Sequence, residues 1–426
     1  MAFTPKYNLI EELKWRGLFH QDTPGIEDLL KQELVKGYIG FDPTADSLHI
    51  GNMVPIILLV HLQKSGHKPI ALVGGATGMV GDPSGKKAER KLLDEETINH
   101  NLECQKKQLM QFLDFETVGD NKAEIVNNYD WFKNFGFLEF IRDVGKHISV
   151  NYMMAKDSVK NRLESGMSFT EFTYQLVQGY DFYFLWKELG VKLQMGGSDQ
   201  WGNIVTGTEL IRRKGQGEGY AITAPLITKA DGSKFGKSEG GNVWLDSEKT
   251  SPYEFYQFWI NTTDEDAERY IKIFTLLDKQ DIEQRIAAHK ENPGFNQLQK
   301  DLAHYVTAWV HGEAEANKAR ELSQILFKKG NAESLKSLNE RDILAICQGL
   351  EQVELNQPEE EVTEFLNSTG FFKSKSDVGR ALKGNAISIN KSKIDAAYTI
   401  ANEDWLLGKY MLIQNGKKNF YLAIKK

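Results

Sequence analysis

Tyr38-Ile-Gly-Phe-Asp-Pro-Thr-Ala-Asp-Ser-Leu-His-Ile-Gly-Asn52 is the stretch that decides the fold. Lys36 to Phe41 reads as a short strand, and Asp42 to Leu48 as a turn rich in Asp, Pro, Thr and Ser. Ile50 to Lys64 reads as a mostly apolar helix, with Pro55 in its first turns, where a missing N–H is tolerated. A second strand, Lys68 to Val73, ends in Gly74-Gly75-Ala76-Thr77-Gly78. Strand, helix and strand with glycines at the strand ends predict a parallel sheet whose ligands bind beyond the carboxyl ends of its strands. His49 and Asn52 fall at the helix start, where free N–H groups and the helix dipole attract phosphate. Thr44 and His49 can donate to phosphate oxygens, Asn52 offers an amide donor, and Gly51 leaves room for a base to lie flat on the backbone.

Outward from that core, residues 8 to 34 predict one or two helices interrupted at Gly17, and residues 90 to 125 an amphipathic helical stretch. Phe132 to Ser168 reads as helices and connectors inserted between the halves of the sheet. Phe169 to Leu189 is an aromatic-rich helix, and Lys192 to Met195 a buried strand ending in Gly196-Gly197-Ser198-Asp199-Gln200. A helix through Arg213 and a last strand, Ala221 to Ile227, lead to Lys234-Phe-Gly-Lys-Ser238. Helical patterns fill Pro252 to Leu326. Glu351 to Leu366 then carries six glutamates and no Lys or Arg, whereas Phe371 to Lys393 carries six Lys or Arg against one Asp. The expected organisation is an α/β domain over 1–250, an all-α domain over 251–335, an acidic linker over 336–359 and a small α+β module over 360–426.

Composition sets bounds on function. The 426 residues are 41% hydrophobic and 26% charged, with a formal net charge of -7, so the chain is globular and any nucleic-acid site must be a local basic patch. Cys104 and Cys347 stand in unrelated contexts, which is neither a disulfide framework nor a metal motif. The amino terminus has no apolar or arginine-rich leader, and the run from Val54 to Val60 falls far short of a membrane span. A cytoplasmic protein is expected.

The chemistry-bearing residues fall in three sets. Lys234 and Lys237 lie on a glycine-flanked loop that can close over a triphosphate and stabilise a departing pyrophosphate. Tyr174, Gln178 and Asp181 are spaced by four and three and share one helix face. Asp181 sits among Tyr180, Phe182, Tyr183 and Phe184, a setting a carboxylate avoids without a partner. A carboxylate aimed into an aromatic pocket suits a phenol hydroxyl, and Tyr38 can give that hydroxyl a second hydrogen bond. In the third set, the glycines at 196 and 197 permit close ligand approach. Asp199 can take ribose hydroxyls, Gln200 a carboxylate or phosphate, and Asp82 an ammonium group.

Five segments, in order along the chain, carry a family resemblance. They are Gly40 to Asn52, Gly74 to Lys86 (Gly-Gly-Ala-Thr-Gly-Met-Val-Gly-Asp-Pro-Ser-Gly-Lys), Phe172 to Phe182 (Phe-Thr-Tyr-Gln-Leu-Val-Gln-Gly-Tyr-Asp-Phe), Gly196 to Asn203 and Lys234 to Ser238. Together they resemble the bacterial tyrosyl-tRNA synthetases, class I aminoacyl-tRNA synthetases with a Rossmann-like parallel sheet. The family's His-Ile-Gly-His appears here with Asn52 in the last place, and its Lys-Met-Ser-Lys-Ser as Lys-Phe-Gly-Lys-Ser. A tryptophanyl enzyme shares both signatures, but an indole offers Tyr38 and Asp181 no hydroxyl. A nucleotidyltransferase would not need the carboxy-terminal domains. A splicing or RNA-binding relative without activity would be favoured by loss of the lysine loop or Asp199, and both are present.

The resemblance implies a role for each matching residue. Tyr38 and Asp181 read the tyrosine hydroxyl, while Tyr174, Asp82 and Gln178 hold its ammonium group. Gly40, Asp42, Gly51, Asn52, Gly197, Asp199 and Gln200 border the ATP or adenylate. Thr44, His49, Lys86, Arg90, Lys234, Lys237 and Ser238 stabilise the leaving pyrophosphate. It also implies L-tyrosine, ATP with Mg2+ and tRNA(Tyr) as substrates, no resident metal or other tightly bound cofactor, and a homodimer. Ser374 to Asn390 looks like a ribosomal-protein-type RNA-binding module, with Lys375, Arg380 and Lys383 offered to phosphates.

Overall fold

The computed structural model describes residues 3–84, 93–116, 119–156, 159–160, 166–238, 241–326, 332–348, 350–356, 358, 360–416 and 419–426. They form two compact units: Met1–Asp246 with Thr263–Leu298, and Ser247–Thr262 with Gln299–Lys426. No described helix is long and apolar enough to cross a membrane.

The first unit is built on a six-stranded sheet of β1 (Gln21–Asp22), β2 (Lys36–Phe41), β3 (Lys68–Val73), β4 (Glu124–Asn127), β5 (Leu193–Gly197) and β6 (Tyr220–Ala224). Their order is β1-β6-β5-β2-β3-β4, parallel except for the β1–β6 pair at one edge. β3 is buried along nearly all its length, as expected of a strand covered on both faces by crossover helices. The chain runs from β2 outward through β3 and β4, then returns to β5 on the other side of β2. That reversal opens a crevice above the carboxyl ends of β2 and β5.

Helix Met53–Lys64 follows β2 after a single 3-10 turn, Ile50–Asn52, and buries nine residues from Met53 to Leu62. Helix Phe169–Leu189 opens on a reciprocal cap between Ser168 and Glu171. Between β4 and that helix lie the short helices Tyr129–Phe132, Phe137–Asp143 and Val150–Met154, the inserted segment the sequence suggests. After β6 come two two-residue strands, β7 (Lys237–Ser238) and β8 (Gly241–Asn242), and then helix Asp264–Phe274.

The second unit contains helices Pro252–Ile260, Glu313–Gln324 and Glu340–Cys347, and a five-stranded sheet. Its strands are β9 (Glu351–Leu355), β10 (Ile387–Ile389), β11 (Ser392–Lys393), β12 (Tyr410–Asn415) and β13 (Asn419–Lys425), in the order β11-β10-β12-β13-β9. Helices Val362–Ser368 and Lys375–Lys383 pack on a core of Phe365, Val378, Leu382, Ile387 and Met411.

Four details differ from the sequence expectation. Residues 336–359 are not a linker: they hold helix Glu340–Cys347 and the edge strand β9, paired in parallel with β13. Of the glutamates that suggested a linker, Glu351 and Glu354 are exposed side chains of that edge, where charge discourages further pairing, while Glu361 caps helix Val362–Ser368 and Glu364 lies within it. The boundary near residue 250 is not a single crossing, because the chain returns to the first unit at Thr263. Among the described residues of 90–125, helix spans Glu95–Phe112 and the stretch runs into β4, while residues 21–22 form β1 within the expected helices. The last strand of the sheet stops at Ala224, before Pro225.

Candidate active site

The crevice gathers side chains from both sides of the strand reversal. Tyr38, at the middle of β2, is 1% exposed, and its Oη has no partner among the described residues. Its register partner on β5 is Gln194, on the same sheet face, whose Oε1 is likewise buried and unpartnered. Burial and the nearby Asp181 carboxylate push the Tyr38 hydroxyl well above the ordinary phenol range, so it stays a donor.

Asp181 is 2% exposed on helix Phe169–Leu189. Its Oδ1 accepts from Trp131 Nε1 at 2.9 Å and its Oδ2 from Asn128 Nδ2 at 3.1 Å. Burial pushes its carboxyl up to about 8, opposed by those two donors and assisted by Asp42. Asn128 also donates to Thr77 Oγ1 at 3.0 Å, and Thr77 donates to Asp42 Oδ1 at 2.7 Å. Sequence reasoning missed Thr77, Asn128, Trp131 and Gln194. Asn128 and Trp131 lie some fifty positions from Asp181, and no local periodicity connects them.

Tyr174 and Gln178 project from the same helix face as Asp181. Tyr174 Oη donates to Asp42 Oδ2 at 2.9 Å. With its proton committed there, the hydroxyl offers a ligand only its lone pair, which suits an ammonium group. Gln178 Oε1 is buried without a partner and is a second acceptor of the same kind. Asp82 is 8% exposed and accepts from Ser84 N at 2.9 Å and Gln200 Nε2 at 2.7 Å. Gln200, which the sequence offers to a ligand carboxylate or phosphate, here uses its Nε2 to tie Asp82 to Asp199, the latter at 3.4 Å. Burial, with Asp82 nearby, raises the Asp199 carboxyl above its usual range. Gly40 is exposed in mid-strand, and a Cβ there would meet only Leu72, at 3.8 Å, so the strand surface is open to a ligand. Beside Gly197 and Asp199, Leu226 is 59% exposed and offers an apolar wall that the sequence did not single out.

The His49 turn is self-capped. His49 Nδ1 accepts Gly51 N–H at 3.0 Å, which places the ring proton on Nε2, and Asn52 Oδ1 accepts His49 N–H at 3.0 Å. Asn52 is left its amide N–H groups to offer a ligand. A Cβ on Gly51 would lie 2.7 Å from His49 Cε1. The folded-over imidazole therefore packs closely on the glycine backbone, and a larger residue there would have to displace it. At Gly197 a Cβ would stand 2.5 Å from Asp199 Oδ1, so a side chain there would displace that carboxylate.

The lysine segment meets this turn. Ile50 N donates to Val243 O at 2.9 Å, and Leu245 N to Leu48 O at 2.9 Å. Lys234 and Lys237 are exposed, as is Thr44. Phe235 between the lysines is buried, so the loop is anchored rather than loosely hinged. Lys86 and Arg90 lie outside the described residues, as does the side chain of Ser238.

Strand order, a site at the strand reversal and the juxtaposed His49 and lysine segments define a nucleotide-activating enzyme of class I synthetase architecture. The family described as "tRNA synthetases class I (W and Y)" matches residues 30–328, and "Tyrosine--tRNA ligase SYY-like C-terminal domain" matches residues 342–423. The tyrosine--tRNA ligase of Bacteroides fragilis is 57% identical over 429 residues, covering 98% of this chain and 100% of the relative. That of Flavobacterium johnsoniae is 57% identical over 425 residues, covering 97% and 99%. Among solved structures, a C-terminally truncated mitochondrial tyrosyl-tRNA synthetase of Aspergillus nidulans superposes with a TM-score of 0.68 at 31% identity, covering 76% of this chain and 95% of that one. The chain belongs to the class I tRNA synthetases of the tryptophan and tyrosine group, and within it to the tyrosine–tRNA ligase family.

Proposed function

We infer that the protein joins L-tyrosine to tRNA(Tyr) in two steps. In the first, a tyrosine carboxylate oxygen attacks the α-phosphorus of Mg-ATP, the bond to the β-phosphate breaks, and pyrophosphate leaves. In the second, a hydroxyl of the terminal tRNA ribose attacks the adenylate carbonyl and AMP leaves. The observation that carries this reading is the Tyr38 hydroxyl, buried and without a partner, beside the Asp181 carboxylate. A phenol that accepts from Tyr38 and donates to Asp181 satisfies both, whereas a benzyl or indole side chain leaves two buried polar groups unmet.

The remaining roles are assigned from the family resemblance, with the positions described above in support. Tyr174, Gln178 and Asp82 present acceptors to the substrate ammonium group. Gly40, Asp42, Gly197, Asp199 and Leu226 bound the adenylate. His49, Thr44, Asn52, Lys234 and Lys237 serve the phosphates, and the family resemblance adds Lys86, Arg90 and Ser238 to that set. No covalent enzyme intermediate is needed, so the site works by positioning and charge stabilisation. Phe137, Leu138 and Val150 of the inserted segment and Phe169, the first residue of the helix after it, are 64%, 78%, 63% and 67% exposed, apolar surface that supports assembly as a homodimer. In the carboxy-terminal module, Lys375 is paired with Glu364 at 2.5 Å and Arg380 with Asp377, so contact with RNA phosphate must exchange those pairs; Lys383 is exposed. The compartment is the cytoplasm, where the tRNA is charged.

Amino-acid-dependent ATP–pyrophosphate exchange, run across the standard amino acids, tests the reading. Tyrosine should support exchange, with phenylalanine and tryptophan giving almost none. Equal exchange with either would sink the assignment.

A further inference from the structure

One face of one helix grips the lysine hairpin along its length. Positions 266, 270 and 274 recur every fourth residue of helix Asp264–Phe274 and project from one side. Asp266, 3% exposed, accepts Ala230 N–H at 2.9 Å. Tyr270 Oη donates to Thr228 O at 3.2 Å. The rings of Tyr270 and Phe274 flank Phe235, the first at 5.1 Å and edge-on at 62°, the second at 5.1 Å and stacked at 17°. On the other side of the hairpin, Gly236 O accepts from Val243 N at 3.2 Å. Gly236 has φ 89°, and a Cβ there would lie 3.7 Å from Gly51 N. The segment carrying both ammonium groups is thus held between a helix face and the His49 turn.

We propose that the Asp266–Tyr270–Phe274 face, gripping Phe235, is a positioning platform that sets where Lys234 and Lys237 stand as pyrophosphate leaves. The proposal rests on the reading of those lysines as the pyrophosphate site. Charge stabilises a transition state only when its carriers are already in place, because a lysine that must first be ordered gives back part of the gain. Phe235 is the one side chain between the two lysines that can fix the backbone of both at once. Its burial leaves the flanking ammonium groups exposed, as a ligand requires. None of the platform residues needs to touch substrate, so they are positioning residues and act through the lysines.

The test is single-turnover formation of tyrosyl-adenylate, with a separate tyrosine titration and thermal unfolding, on the full chain. Phe235→Ala should slow adenylate formation by roughly ten- to a hundredfold while tyrosine affinity holds. Asp266→Ala should also slow it, and Asp266→Asn, which keeps an oxygen for Ala230 N–H, should recover most of the rate. The deciding measurement is a double-mutant cycle with Lys237→Ala. If the platform acts through the lysine, Phe235→Ala adds little loss once Lys237 is gone. Full additivity, or a rate untouched by Phe235→Ala, overturns the proposal. Should Phe235→Ala fail to fold, the same cycle is run with Tyr270→Phe, which keeps the ring and removes the hydroxyl that donates to Thr228 O. A wild-type enzyme that makes no tyrosyl-adenylate would overturn the function itself. One that makes it with Lys237→Ala unimpaired would overturn only the platform and the lysine's role.

Discussion

Asp181 carries two conflicting demands. To receive a phenol proton it must be ionised, yet burial pushes its carboxyl up to about 8, against the pull of the Asn128 and Trp131 donors. The folded chain therefore keeps a proton that the unfolded chain has already released at ~4, the ordinary carboxyl value. Between those two values the native state binds more protons than the unfolded state, so stability falls as pH rises and levels off above the upper value. Asp181→Asn cannot titrate. Thermal unfolding followed from about pH 5 to 8 should show a decline in the wild type that is reduced in the variant. Parallel curves would mean that Asp181 is ionised throughout. At this scale the sequence was informative where chemistry is local. Tyr174, Gln178 and Asp181 declare themselves by spacing on one helix, and an acidic residue among aromatics is conspicuous. Asn128 and Trp131 are invisible there, because the end of an edge strand and a four-residue helix bring them to Asp181 across the fold. The bond from Gln200 to Asp82 is equally invisible there, because its partner is 118 positions away.

Helix Asp264–Phe274 matters as an element because the lysine hairpin rests on it, and its own position is fixed by one buried cation. Arg16, 3% exposed, donates to Lys272 O at 2.7 Å, Thr275 O at 2.8 Å and Leu277 O at 2.7 Å, and pairs with Glu12 at 2.6 Å. Three carbonyls at a helix end thus converge on one guanidinium, which complements the negative end of the helix dipole. Arg16→Ala leaves those acceptors buried and should cost about 3 kcal/mol, read as a shift of the urea midpoint at constant slope. Arg16→Lys supplies a charge but not the planar fork, so it should recover only part. A loss within about 0.5 kcal/mol, the range of an ordinary surface change, would rule out the capping role. Elements differ in legibility for a physical reason. β2, β3 and helix Met53–Lys64 are mostly buried, so apolar runs reveal them. β1, β4 and β9 lie at sheet edges, where two to five residues, none of them buried, carry too little pattern to stand out from a turn, a helix end or a linker.

At the scale of the whole molecule, the two units are interleaved along the chain. Helix Pro252–Ile260 lies in sequence between parts of the first unit yet belongs to the second. Its Tyr253 shares a core with Leu322, Leu335, Ile343 and Ile346, and with Leu406, Leu412 and Leu422 of the carboxy-terminal module. The expectation of separate all-α and α+β domains catches the change in composition but not this common core, because long-range packing leaves no mark on local periodicity. A chain truncated after Leu335 separates chemistry from RNA binding. It keeps every catalytic residue proposed here, all of which lie between Tyr38 and Ser238, so tyrosine-dependent pyrophosphate exchange should persist. It removes the Lys and Arg side chains of the module, so tRNA charging should fall sharply and its affinity should depend less steeply on salt. It also strips Ile343, Ile346, Leu406, Leu412 and Leu422 from around Tyr253 and Leu322, a loss far larger than one cavity mutation, at about 2–5 kcal/mol for each large aliphatic truncated to alanine. The residual helices of the second unit should therefore melt well before the first, giving two thermal transitions where the full chain holds that unit together. Loss of exchange would place part of the chemistry outside the first unit. Helices that melt as late as in the full chain would show that Tyr253 and Leu322 do not depend on the module for their core.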